Sequence, residues 1–84
     1  MLDQQDIERK LAGKLRQLLP QLDADPDVET PLHALGVDSM RLVELFIFIE
    51  MEYHLDLMSL GIELEHIQTL RSMATFIVDR DSTA

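Results

Sequence analysis

Asp38-Ser39-Met40-Arg41-Leu42-Val43-Glu44-Leu45-Phe46-Ile47-Phe48-Ile49-Glu50-Met51-Glu52-Tyr53 is the stretch that decides how this chain folds. No proline or glycine interrupts it. Leu42, Leu45, Phe46, Ile49 and Tyr53 recur at helical spacing and make one apolar stripe. A core-facing surface helix needs a stripe only about 100° wide. A second apolar set is left on another side: Met40, Val43, Ile47 and Met51, with Phe48 besides. Either a helical fold buries this helix all round, or the second set is a docking strip rimmed by Glu44, Glu50 and Glu52. Small domains rarely have the mass to bury a helix completely. Periodicity alone leaves both readings open.

Just ahead stands Leu35-Gly36-Val37-Asp38-Ser39-Met40. Gly36 lets the backbone turn tightly, and a serine hydroxyl follows at the mouth of the helix. A plain N-cap role for Ser39 or Asp38 is the commonest reason for such residues at such a place. The alternative is that Ser39 carries a phosphate-linked group. Unpaired N–H groups and partial positive charge at a helix N-terminus stabilise a phosphodiester anion. A catalytic nucleophile is not expected, since no G-x-S-x-G frames the serine and no histidine base adjoins it.

Residues 20–37 read as a long ordered loop. Pro20, Pro26 and Pro31 break regular structure, while Leu22, Val28, Leu32, Leu35 and Val37 pin the loop to the helices, with a helical turn at Leu32–Leu35. Before it, Asp3 to Leu19 reads as an amphipathic helix capped by Asp3 or Asp6. Its inward face carries Ile7, Leu11, Leu15, Leu18, Leu19 and, just beyond, Leu22. Glu8, Arg9, Lys10, Lys14 and Arg16 fill the other face. After Tyr53 come a connection, His54 to Gly61, and a short helical piece, Ile62 to Ile67. A last helix, capped by Thr69 or Ser72, runs to the neighbourhood of Arg80 with Met73, Phe76 and Ile77 inward. Asp81–Ala84 should fray. Period-two alternation is absent, so no sheet is expected.

The chain has 84 residues, no cysteine, no tryptophan and a net charge of −9. That length suits one domain over residues 1–84, with an ordered core from Asp3 to Arg80. Without cysteine the polypeptide has no disulfide, thiolate zinc site or thiol nucleophile. The acidity argues against nucleic acid and anionic membranes and favours partners with basic patches. From Asp38 to Thr69 seven acids face a single base, Arg41, so the negative field is concentrated there. No apolar run approaches the roughly 20 residues of a membrane span. No signal peptide opens the chain, and the expected location is the cytoplasm.

Taken together, these residues resemble the acyl carrier proteins, the group that serves fatty-acid, polyketide and nonribosomal peptide synthesis. Leu35, Gly36, Asp38, Ser39 and Met40 match its Leu-Gly-x-Asp-Ser-Leu/Met signature. Val43-Glu44-Leu45, the Glu50…Tyr53 end of the second helix and Thr69-Leu70 match further on. The resemblance implies an all-α four-helix bundle with a long loop between helices one and two and a short third helix. It implies that a phosphopantetheinyl transferase moves 4′-phosphopantetheine from coenzyme A onto Ser39, with Asp38 against the transferase and its metal. The arm's thiol would then hold an acyl or aminoacyl cargo as a thioester. A loading ligase or acyltransferase and downstream synthase or transferase enzymes are the other implied partners, and the chain itself would catalyse nothing. Met40, Arg41, Val43, Glu44, Ile47, Glu50 and Met51 would form the partner face, which turns the open choice above toward a docking strip.

Departures from the family bear on the cargo. Arg41 stands where fatty-acid carriers commonly have an acid, Phe48 and Met51 where they have a small residue and a glutamate, and Met58 replaces a frequent proline. These changes suit a dedicated carrier of a specialised pathway. The runner-up is an unmodified helical adaptor docking by the same strip. Glu63-x-x-His66 has the spacing of a di-iron ligand pair, but occurs once, and no metal site is expected. His33, His54 and His66 are read as structural or exposed. A free-standing monomer is expected.

Overall fold

Asp3 and Asp38 each have extended backbone and begin a helix. The computed structural model describes residues 2–83, the side chains of 82 and 83 excepted. Asp3 Oδ1 accepts the Gln5 N–H at 3.3 Å and opens α1, Gln4–Leu18. Asp38 Oδ1 accepts the Arg41 N–H at 2.8 Å and opens α2, Ser39–Tyr53. The last helix, α3, spans Leu70–Thr83. At its start the Ser72 N–H donates to Thr69 Oγ1 at 3.0 Å and the Thr69 N–H to Ser72 Oγ at 3.1 Å. Two single 3-10 turns lie between, Leu32–Leu35 and Leu64–Ile67, and no strand occurs among the described residues.

The expected third helix over Ile62–Ile67 is the second of these turns, so the described fold has three α-helices rather than four. The segment has no room for more. Gly61 turns left-handed at φ 83°, Glu63 is extended, and the Thr69–Ser72 pair already begins α3. One tight turn fits between, the usual length of such structure. Conversely, α3 continues through Thr83 where fraying was expected. No glycine or proline interrupts residues 70–83, and Arg80 Nε donates to the Leu60 carbonyl at 3.2 Å. Ala84 lies outside the described residues.

Leu45 and Ile49 of α2 are fully buried, and Leu42, Phe46 and Tyr53 pack at the edge of the same core. They meet Ile7, Leu11 and Leu15 from α1 and Leu70, Met73 and Ile77 from α3. Glu8 corrects the reading of α1. It is buried, not on the solvent face. Gln4 Nε2 donates to it at 3.2 Å and Arg71 Nε at 3.4 Å. Arg71 comes from α3, so α1's own periodicity carries no sign of it.

The same arginine holds the long loop. Its NH1 pairs with Glu29 at 3.0 Å and its backbone N–H donates to the Val28 carbonyl at 2.9 Å. Nearby the Leu32 N–H donates to the Gln68 carbonyl at 2.8 Å. The approach to α2 is therefore fastened to the start of α3. Gly36 completes it at φ 94°, where a side chain is strained. Gly36→Ala should lower the unfolding free energy by about 1–2 kcal/mol. Gly13→Ala, in open space within α1, should raise it by about 1 kcal/mol. Urea titration of both variants checks the pair.

Candidate functional site

The approach turn aims the start of α2 at solvent. The Gly36 N–H donates to the His33 carbonyl and the Val37 N–H to the Leu32 carbonyl, each at 3.2 Å. Asp38 then supplies the cap, and its own carbonyl takes the Leu42 N–H at 2.9 Å. Ser39 follows as the first helical residue and is exposed. Among the described residues its hydroxyl has no hydrogen-bond partner. Capping, the ordinary reason for a serine at this place, is done by its neighbour. The Ser39 and Met40 N–H groups have no intrahelical acceptor, as at any helix start, and the helix dipole adds partial positive charge. A phosphodiester on Ser39 would meet donors rather than a carboxylate clash, provided Asp38 stays turned to Arg41.

An apolar cavity of ≈ 570 Å³ shares this end of the molecule. Val37 and Leu42, from either side of Ser39 in sequence, line it with Leu32, Leu64, Ile67 and Thr69. The residues present therefore fit a serine-linked phosphate with an apolar extension: an exposed hydroxyl, free backbone donors and an apolar recess nearby.

Of the expected partner face, the four apolar members are exposed: Met40 by 68 %, Val43 by 54 %, Ile47 by 50 % and Met51 by 73 %. α2 is thus buried on one side only. Phe48, which fits neither stripe, is half-buried with Lys14 Nζ 5.6 Å from its ring centre. The charged members are tied within the chain. Arg41 NH1 pairs with Glu44 at 3.2 Å. Glu50 turns to accept the Leu57 N–H at 3.1 Å. Glu52, also read as rim, pairs with Lys10 at 3.2 Å. That bond, and Asp6 at 3.7 Å, raise the Lys10 ammonium above its ordinary pKa. Burial raises the Tyr53 phenol, whose hydroxyl has no partner among the described residues.

Sequence reasoning missed two exposed apolar residues, Met58 and Leu64, at 75 % and 79 % exposure. For Leu64 a signal existed in its place between Glu63 and Glu65. It also missed the cavity, whose walls come from four separate stretches of chain. Asp56 beyond α2 is a local cap: the Ser59 hydroxyl donates to it at 2.9 Å and holds its carboxyl below the ordinary range. Among the described residues no three histidine, aspartate or glutamate side chains group to hold a metal ion. No described helix is long and apolar enough to cross a membrane.

Residues 9–77 match the family model described as the phosphopantetheine attachment site. No curated protein and no solved structure matches the chain. Members of that family carry a covalently attached 4′-phosphopantetheine, are generally non-catalytic carriers, and work with a phosphopantetheinyl transferase and partner synthases. The matched span contains the whole of α2 with its uncommitted serine, and the chain belongs to this family of acyl carrier proteins.

Proposed function

We propose that Ser39 is the attachment point and that the chain presents an acyl or aminoacyl thioester to a series of enzymes. The observation that carries this is the division of labour at the start of α2: Asp38 caps, which leaves an exposed hydroxyl with no structural task. In the loading step Ser39 Oγ attacks the phosphorus that joins pantetheine to adenosine bisphosphate in coenzyme A. The Oγ–P bond forms, the pyrophosphate P–O bond breaks, and adenosine 3′,5′-bisphosphate leaves. The hydroxyl proton passes to a base of the transferase. The bound group supplies a thiol for thioester formation. The N–H groups at the helix start hold the phosphate, and Asp38 keeps the turn in shape while facing the transferase.

The chain itself is a carrier rather than a catalyst, one unit over residues 3–80. We assign it to the cytoplasm, where coenzyme A is at hand, and to a dedicated pathway rather than bulk fatty-acid synthesis. Its −9 charge opposes self-association and supports a monomer. The test is intact mass after incubation with coenzyme A and a broad-specificity phosphopantetheinyl transferase. A gain of one phosphopantetheinyl group, located on the peptide with Ser39, is expected. No gain would leave the adaptor reading in its place.

Met40, Val43, Ile47 and Met51 form the docking strip in this reading, with Arg41, Glu44 and Glu50 beside it. Because Glu44, Glu50 and Glu52 are already engaged within the chain, a partner's basic residues gain little by meeting them. Apolar contact then dominates. A tenfold rise in salt should change the transferase Kd by less than about threefold, since apolar contact, unlike exposed charge, is not screened. A steep salt dependence would reverse that assignment.

A further inference from the structure

The Leu64–Ile67 turn is closed by a histidine where a capping box ordinarily uses a carboxylate or amide. The Glu63 N–H donates to His66 Nδ1 at 2.8 Å. This bond requires Nδ1 to be bare and the ring proton to sit on Nε2. The imidazole lies against Phe76, ring centres 4.6 Å apart, and the Arg80 guanidinium lies 4.7 Å from the same phenyl ring. Charged groups face it from both elements in contact. Glu63 and Glu65 belong to its own turn, Glu65 Oε1 standing 3.8 Å from Nε2. Asp79 and Arg80 of α3 line the same shallow cleft.

The two ends of the turn are held differently. At the far end Ser72 Oγ donates to the His66 carbonyl and the Leu32 N–H to the Gln68 carbonyl, each at 2.8 Å. At the near end the Glu63 N–H goes to the histidine, and the His66 backbone N–H returns to Glu63, to its side chain and, at 2.9 Å, to its carbonyl. Leu64 and Ile67 from this turn form part of the wall of the apolar cavity, and Leu64 stands exposed at its rim.

We propose that His66 is a pH-sensitive latch on that cavity wall. A second ring proton puts an N–H at Nδ1, facing the Glu63 N–H. Two donors then oppose each other and the bond is lost. Histidine is the side chain that ordinarily changes charge between neutral and mildly acidic solution. With that arm of the box lost, the Glu63 end is held by the His66 N–H alone while the Gln68 end stays fastened, so Glu63 and Leu64 move first and the cavity mouth widens. This behaviour belongs to the polypeptide and does not rest on modification of Ser39.

The test uses the unmodified full chain and the variant His66→Gln, whose amide oxygen can close the same box without titrating. Amide hydrogen exchange is read by NMR at about pH 7.5 and about pH 5.5, bracketing the ordinary histidine range. Protection at Glu63, corrected for intrinsic rates, should fall about tenfold in the wild type on acidification, the equivalent of one lost cap. It should hold in His66→Gln, and protection at Leu32 should hold in both. Nile red, a neutral apolar dye, should bind more strongly to the acidified wild type alone. Unchanged protection in the wild type, or an equal fall in both proteins, overturns the latch. Should the variant lose the turn outright, the imidazole ¹⁵N shifts decide. A bare Nδ1 at neutral pH that becomes protonated as Glu63 loses protection supports the latch. A proton on Nδ1 at neutral pH overturns it.

Discussion

Ser39→Ala should keep the mass of the unmodified chain under conditions in which the wild type gains one phosphopantetheinyl group. The substitution removes one oxygen, and with it the only atom the loading step can use at that position. The expected effect is all or none. The fold should barely register the change. The Ser39 hydroxyl has no partner among the described residues, Asp38 supplies the cap, and alanine is a strong helix former. Urea unfolding should shift by less than about 0.5 kcal/mol. Asp38→Ala is the complement. It leaves the hydroxyl and removes the cap, at a cost of about 1 kcal/mol. A variant lacking the Ser39 oxygen that still gains the group would move the attachment point elsewhere.

Two isoleucines on α2, two positions apart, should respond to glutamate in opposite ways. Ile49 has 0 % exposure. A carboxylate there has no partner: burying even a neutral polar group unpaired costs on the order of 2–7 kcal/mol and an ionised one far more, and losing the buried isoleucine side chain adds about 2–5 kcal/mol. Small domains are stable by only about 5–15 kcal/mol, so Ile49→Glu should lose its helical circular dichroism at room temperature. Ile47 is 50 % exposed, and Ile47→Glu should keep the signal and melt near the wild type. Its effect should fall on association, with transferase Kd rising about tenfold, as for a central apolar contact. Retained tight binding by Ile47→Glu would remove the strip from the interface, and unfolding would make Ile47 a core residue.

The contrast between Ile47 and Ile49 also marks how far the sequence could be read. Helical spacing separated two stripes on α2, because side chains three and four apart share a face. It could not say whether the second stripe meets another helix. That depends on how much chain is left to cover it, and the structure leaves Met40 and Met51 exposed. The signature Gly36…Ser39 was legible for local reasons, a left-handed glycine and a capped helix start. Glu8 was not, because its partner Arg71 is distant in sequence. The third helix was over-read for a related reason. Ile62 to Ile67 has helical composition, but its length is set by Gly61 on one side and the Thr69–Ser72 box on the other. The cavity beside α2 is assembled from chain segments that only the fold brings together.

The ion pairs of Lys10 have a chemical meaning for a chain proposed to carry thioesters. A thioester acylates free amines, and a carrier's own side chains are the nearest candidates. The sequence holds just two lysines, both on α1, and no thiol. Lys10 is held by Glu52 and Asp6 in its protonated form, which has no lone pair to attack with. For the proposed thioester this leaves less free amine at Lys10 to be acylated, whereas Lys14, 5.6 Å from the Phe48 ring centre, has no carboxylate partner among the described residues.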